Sequence, residues 1–194
     1  MKPFLSICSV LLLVFCVFAE TAKHRPAGEH YLDPEIKVTF PAEIRNFRKQ
    51  EVIRSFNPMV GTTIRYSDSD GNCADVYIYL HPKAELEISE AQLELHFQEL
   101  KKAVLSLPEK GMSVKKSEMI RESGIRIAQP SGKQNLVNGH QAVFWITTEG
   151  NVAQLSHLIL FPFRGKIIKL RMSCDETKAS EFTAGIISAF FGTP

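Results

Sequence analysis

The sequence predicts an α+β domain: a mostly antiparallel sheet ending in a three-stranded meander, packed by one long helix and a C-terminal helix into an α/β/α sandwich. Three observations carry this expectation. The run ISEAQLELHFQELKKAVLSL (88–107) has a four- and three-residue apolar rhythm. The run HQAVFWITTEGNVAQLSHLILFPFRGKIIKLRMSC (140–174) reads as three apolar strands divided by the turn pairs Gly150-Asn151 and Arg164-Gly165. A second helical rhythm, at about 178–191, closes the chain. Period 3.6 marks a helix with one buried face, and short β-rich runs divided by turn residues mark hairpins.

The first residues, MKPFLSICSVLLLVFCVFA, start with a charge at Lys2 and run apolar from Ile7 to Phe18, broken by Ser9. Val17 and Ala19 are the small residues at −3 and −1 before Glu20. The stretch is short for a bilayer span, so residues 1–19 read as a signal peptide, with an uncleaved anchor as the rival. The small residue that a lipoprotein signal needs before its cysteine is replaced by Phe15 ahead of Cys16. The expected location is therefore exported, periplasmic or secreted. Residues 20–35 are polar and aperiodic and read as a flexible arm, with 36–194 as a single domain long enough for one sizeable core. No second long apolar run follows, so no transmembrane segment is expected after signal cleavage. A formal charge of +2 argues against a nucleic-acid partner or a dedicated binder of anionic membranes.

Two short strands are expected in IKVTFP (36–41) and KQEVIRSF (49–56). TTIRYS and ADVYIYLH flank DSDGN (68–72), five turn-forming residues, and so read as a hairpin. The long helix has Ser89 as its N-cap, Gln92 completing a capping box and Ile88 stapling onto Leu93. Its stripe is Leu93, Phe97, Leu100, Val104 and Leu107, and Pro108 and Gly111 end it. SVKKSEMIRE reads as a strand and SGIRIAQPSGKQNL as a loop with some extended structure. The closing helix is expected to follow Thr177 as its cap, to bury Phe182, Ile186, Ala189 and Phe190, and to stop at Gly192.

If both meander turns hold two residues, the register follows. One face carries the rows Phe144–His157–Met172, Ile146–Leu155–Cys174 and Ala142–Ile159–Leu170. The reverse face pairs Val143 with Leu158 and Arg171, Trp145 with Ser156 and Ser173, and Thr147 with Gln154. The first face is apolar and must meet the helices; the second is mixed.

This succession resembles the PsbP-like α/β/α fold. A hairpin whose second strand ends in YIYLHP leads to a capped helix. A strand then precedes NGHQAVFWITTEGNVAQLSHLILFPFRGKIIKLRMSC and an amphipathic helix. The resemblance covers roughly 36–192 and implies fold alone. Proteins of that fold include extrinsic photosystem subunits, bacterial envelope proteins and a Ran-binding import factor. It brings no shared active site, and the photosynthetic role is not implied.

For chemistry, no G-x-S-x-G nucleophile turn occurs, and the histidines (24, 30, 81, 96, 140, 157) show neither helical pairing nor strand alternation. His157 reads as a hydrogen-bonded core histidine. Aligning Gly71 of DSDGN with the invariant glycine of a calcium loop puts Tyr66 and Tyr77 at ligand positions, so the run is a turn. No catalytic residue, metal ligand or cofactor is assigned. A basic cluster, Arg45, Arg48, Lys49 and Arg54, reads as a solvated surface. Trp145, Gln154, Lys169 and Arg171 read as an amphipathic binding face, since an aromatic platform edged by cations suits protein or anion recognition.

Beyond the leader the cysteines are Cys73 and Cys174. Export and their position at strand ends favour a disulfide, worth about 4–5 kcal/mol if unstrained. Their opposite strand parity favours free thiols, and a catalytic thiol is the third option. The expected function is a non-enzymatic exported domain that binds a protein partner, or assists assembly, in the cell envelope. The alternatives are a hydrolase-type enzyme whose site assembles in three dimensions and a small-ligand carrier.

Overall fold

A computed structural model describes residues 23–25, 28–81, 87–110, 113–128 and 136–192. The expected signal peptide lies outside the described residues. The described strands are β1 (Lys23–Arg25), β2 (Tyr31–Leu32), β3 (Thr39–Phe40), β4 (Glu43–Ile44), β5 (Phe47–Arg54), β6 (Thr62–Ser67), β7 (Cys73–Tyr79), β8 (Val114–Ala128), β9 (Leu136–Thr148), β10 (Ala153–Phe163) and β11 (Lys166–Ser173). Helix α1 spans Glu90–Leu105, after β7, and α2 spans Glu176–Phe191.

Among the described residues one nine-stranded antiparallel sheet runs β1-β5-β6-β7-β11-β10-β9-β8, with β4 added on β5, and β2–β3 form a small ribbon. Each face is covered by a helix. On one side Leu93, Phe97 and Val104 of α1 pack with Ala142, Phe144, Ile146, Leu158, Leu160 and Ile167. On the other Ala179, Phe182, Ile186 and Phe190 of α2 pack with Ile64, Tyr66, Val76, Ile168, Leu170 and Phe161. This is the expected α+β sandwich.

Local signals behave as the sequence implies at α1. Ser89 accepts from the Gln92 backbone N–H at 3.2 Å, and Gln92 Oε1 accepts from the Ser89 N–H at 2.9 Å. Helix α2 starts earlier than expected, because Asp175, not Thr177, is the cap and accepts from the Lys178 N–H at 2.9 Å. Lys178 then pairs with Asp68 at 2.8 Å and Asp70 at 2.7 Å, so the DSDGN turn is tied to the helix start. The segment from 123, expected as a loop with some extended structure, continues β8 to Ala128, paired along β9 as far as Ala128 opposite Leu136. The expected arm is structured at 28–35. Tyr31 stacks on Phe40 with ring centroids 6.3 Å apart, and the Asp33 carboxylate accepts from the Glu35 and Ile36 N–H groups.

The meander register is corrected at one turn. The β10–β11 turn has two residues, with Arg164 (φ 48°) and Gly165 (φ 73°) both left-handed, and pairs His157 with Met172 as expected. The β9–β10 turn has three. Thr148 N–H donates to the Val152 carbonyl, Asn151 N–H donates to the Thr148 carbonyl, and Asn151 takes φ 58°. A turn followed by one left-handed residue is the three-residue hairpin loop. The extra residue places Ser156, not His157, opposite Phe144, and Leu155 opposite Trp145. Because strand side chains alternate, that slip exchanges the faces of β9 relative to β10 and β11.

The expected disulfide is corrected too: Cys73 and Cys174 are both buried, and no disulfide joins them. Cys73 stands opposite Ser173, so Cys174, one residue on, belongs to the α2 side of the sheet. Burial pushes the Cys174 thiol up to about 12. A chain of residues 20–194, unfolded without reductant, is expected to yield two alkylatable thiols by mass spectrometry and to resist labelling when native; a single-mass bridged species would contradict the structure.

One glycine carries a packing requirement. A Cβ built at Gly185 would overlap Cγ2 of Ile44, where α2 crosses β4. Gly→Ala in an unobstructed helix stabilises by about 0.4–1 kcal/mol. Gly185→Ala is expected to reverse that sign and cost about 1–3 kcal/mol, the usual range for overpacking, as read by chemical denaturation.

Candidate functional site

Of the four residues proposed to share a face, the structure brings three to one side and puts Trp145 on the other. Gln154, opposite Ile146, Lys169, opposite Tyr77, and Arg171, opposite Asp75, lie on the α1 side. Trp145 pairs with Leu155, two positions from Val143, and belongs to the α2 side. The three-residue turn at Glu149-Gly150-Asn151 is the reason.

On the α1 side, beyond the reach of the helix stripe, polar groups form a row across neighbouring strands. Arg65, Asp75 and Arg171 are consecutive in register on β6, β7 and β11. Arg65 Nε donates to Asp75 at 3.2 Å and its other end pairs with Glu51. Tyr77 OH donates to Asp75 at 3.2 Å, and Arg171 donates to Ser156 Oγ at 3.0 Å. In the next row Lys169 Nζ sits 4.0 Å from the centre of the Tyr77 ring and 5.6 Å from that of Tyr79. Tyr79 OH bonds His96 Nε2 at 2.8 Å, and His81 meets the His96 ring edge-on.

Burial, reinforced by Arg171, lowers the Lys169 amine to about 7, against the pull of Asp75. Burial also raises the Asp75 carboxyl, with Arg65 opposing. A lysine with so low a pKa has the chemistry of a nucleophile or base. Here the ammonium lies over tyrosine rings, its side chain 9% exposed, so its partners are core groups.

The α2 side holds an open cleft of about 480 Å³ between that helix and the β8–β9 ribbon. Its floor is Val143, Ile159, Met172, Ala179 and Ile187. Its polar lining is Arg121, Gln141, His157, Glu176, Ser180 and Thr183. His157 is the hydrogen-bonded buried histidine expected from sequence: Nε2 donates to the Cys174 carbonyl at 3.1 Å. A carbonyl can only accept, so Nε2 carries the proton and Nδ1 is left as an acceptor. Burial lowers the His157 pKa, which keeps the ring neutral at physiological pH. Arg121 and Glu176 pair across the mouth at 3.2 Å, both more than half exposed. Trp145, 41% exposed, extends the same strand face beyond Val143.

Sequence reasoning missed Arg121, Gln141, Glu176 and Ser180. A signal for the helix half existed: Glu176, Ser180, Thr183 and Ile187 recur at four-, three- and four-residue steps, a second face beside the buried Ala179, Phe182, Ile186 and Phe190. Nothing local in β8 marks Arg121.

Lys169 generates a stability test. Between about 7 and its ordinary 10.5 the unfolded chain holds a proton on this amine that the folded chain lacks. Its contribution to stability therefore increases with pH across that window. Relative to Lys169→Met, wild type is expected to gain on the order of 3 kcal/mol from pH 7 to pH 10, the tyrosine rings holding back part of the full linkage. A pH-independent difference in denaturation midpoints would refute the buried, lowered amine.

No protein-family model matches the chain, and a search of curated proteins likewise finds no match. Among solved structures it is similar to cyanobacterial PsbP (CyanoP) from Synechocystis sp. PCC 6803, a solution structure. The TM-score is 0.50 at 13% identity, covering 90% of this chain and 93% of that one. At such identity the likeness speaks for the fold alone. The chain has the PsbP-like α+β fold.

Proposed function

We propose that this chain is an exported, non-enzymatic domain of the cell envelope, organised as a signal peptide (1–19) and one domain, whose protein partner docks along the groove between α2 and the β8–β9 ribbon. The observation that carries the reading is the continuity of an open cleft with a half-exposed tryptophan on the same strand face. A tryptophan beside a concave apolar floor with a polar rim is the composition of a binding hot spot. Gln154, Lys169 and Arg171 serve the interior of the sheet in this reading, and Trp145 keeps its binding role.

The test is site-specific photocrosslinking in the native envelope. A photoreactive residue at Trp145 or Ser180 is expected to trap one discrete protein. The same group at Leu95, on the outer surface of α1, is expected to trap none. Trp145→Ala should reduce capture at least tenfold with the fold intact. Crosslinks confined to position 95 would assign the partner to the opposite side.

A further inference from the structure

The cleft floor has a chemistry that selects among partners. His157, 6% exposed and part of the cleft lining, spends its Nε2 proton on the Cys174 carbonyl, which leaves Nδ1 as the acceptor of the neutral ring. Gln141 donates its amide N–H to Ser123 Oγ at 2.8 Å, which leaves its carbonyl oxygen as an acceptor. Thr183 gives its hydroxyl proton to the Ala179 carbonyl at 2.7 Å, so it too can only accept. The Glu176 carboxylate stands at the mouth. The charged groups that bear on His157 are Glu176 and Asp175 from the start of α2 and Arg121 from β8, a balance of one negative charge. The lining is thus rich in acceptors and mildly anionic over a hydrocarbon floor of Ile159, Met172 and Ile187.

We propose that the partner inserts a lysine side chain into this cleft, its aliphatic stem along Ile159, Met172 and Ile187 and its ammonium shared between His157 Nδ1 and Glu176. This rests on the docking reading above and names the group it recognises. An ammonium has three donors and no acceptor, which matches a lining that offers acceptors. A carboxylate would face the lone pairs of His157, Gln141 Oε1 and Thr183, with Arg121, the second Gln141 amide N–H and the Ser180 hydroxyl as its donors. That arginine is already paired with Glu176, in an exposed ion pair that water screens, so an incoming ammonium can displace it.

Arg121 is therefore a competitor for Glu176, and this gives the proposal an uncommon sign. The probe is the peptide Ac-Ala-Lys-Ala-NH2, titrated into isotope-labelled mature protein and followed by NMR at the Met172 methyl and the His157 ring. The expected result is saturable shifts at both, binding at least tenfold weaker for the norleucine and glutamate peptides, and at least fivefold weaker binding to Glu176→Gln. Arg121→Ala should bind the lysine peptide more tightly. Equal binding of the norleucine peptide, preference for glutamate, weaker binding to Arg121→Ala, or shifts located elsewhere would each overturn the proposal. Free hexylamine binding more than tenfold tighter than the peptide would overturn the protein source in favour of a small amine. Lysine-selective shifts without crosslinks from Trp145 or Ser180 would remove the docking reading while leaving the recognition chemistry in place.

Discussion

Strand β11 has neighbours on both edges, β7 and β10, and a helix on each face of the sheet. A strand in that position leaves little room for water along its middle, so most of its side chains must be apolar or be matched inside the protein. Ile167, Ile168, Leu170 and Met172 meet the first condition and are almost fully buried. Lys169 and Arg171 meet the second, by way of the tyrosine rings, Asp75 and Ser156. The polar row on the α1 side is thus a consequence of putting two cations on a central strand. Asp75 supplies the negative charge beside them, held by the Tyr77 hydroxyl and shared with Arg65, whose other end is paired with Glu51.

The two sides of the sheet differ because the two helices are placed differently on it. Helix α1 lies over β9, β10 and the end of β7, with Phe97 stacked on His140 at 5.2 Å. Helix α2 is drawn toward β4–β7 by Phe47, Tyr66 and the close approach at Gly185. Its second face then overhangs β9 and β10 instead of packing on them, and the overhang is the cleft. The proposed binding groove follows from how far one helix is pulled toward the opposite edge.

Much of the architecture was legible in the chain. The capping box at Ser89, the stripe from Leu93 to Leu107, the left-handed Arg164-Gly165 turn and the buried His157 were all read from neighbours a few positions apart. The site was legible in part. Trp145 was grouped with Gln154, Lys169 and Arg171 on one face, whereas those three face the other way. The error came from a single residue in the 149–151 loop. A strand has a period of two, so one added residue reverses every side chain downstream relative to its neighbour.

What the sequence determined by itself was therefore local: where helices begin, which turns are possible, which residues want the interior. These depend on contacts within about one helical turn or one hairpin loop. The tertiary structure alone decided that the two thiols stay apart, that Lys169 is buried against tyrosines, and that Arg121 meets Glu176 fifty-five positions away across an open cleft. Those outcomes depend on the registers of β7, β9, β10 and β11 together, and on where α2 comes to rest. Such quantities are summed over the whole sheet, and no short segment encodes them.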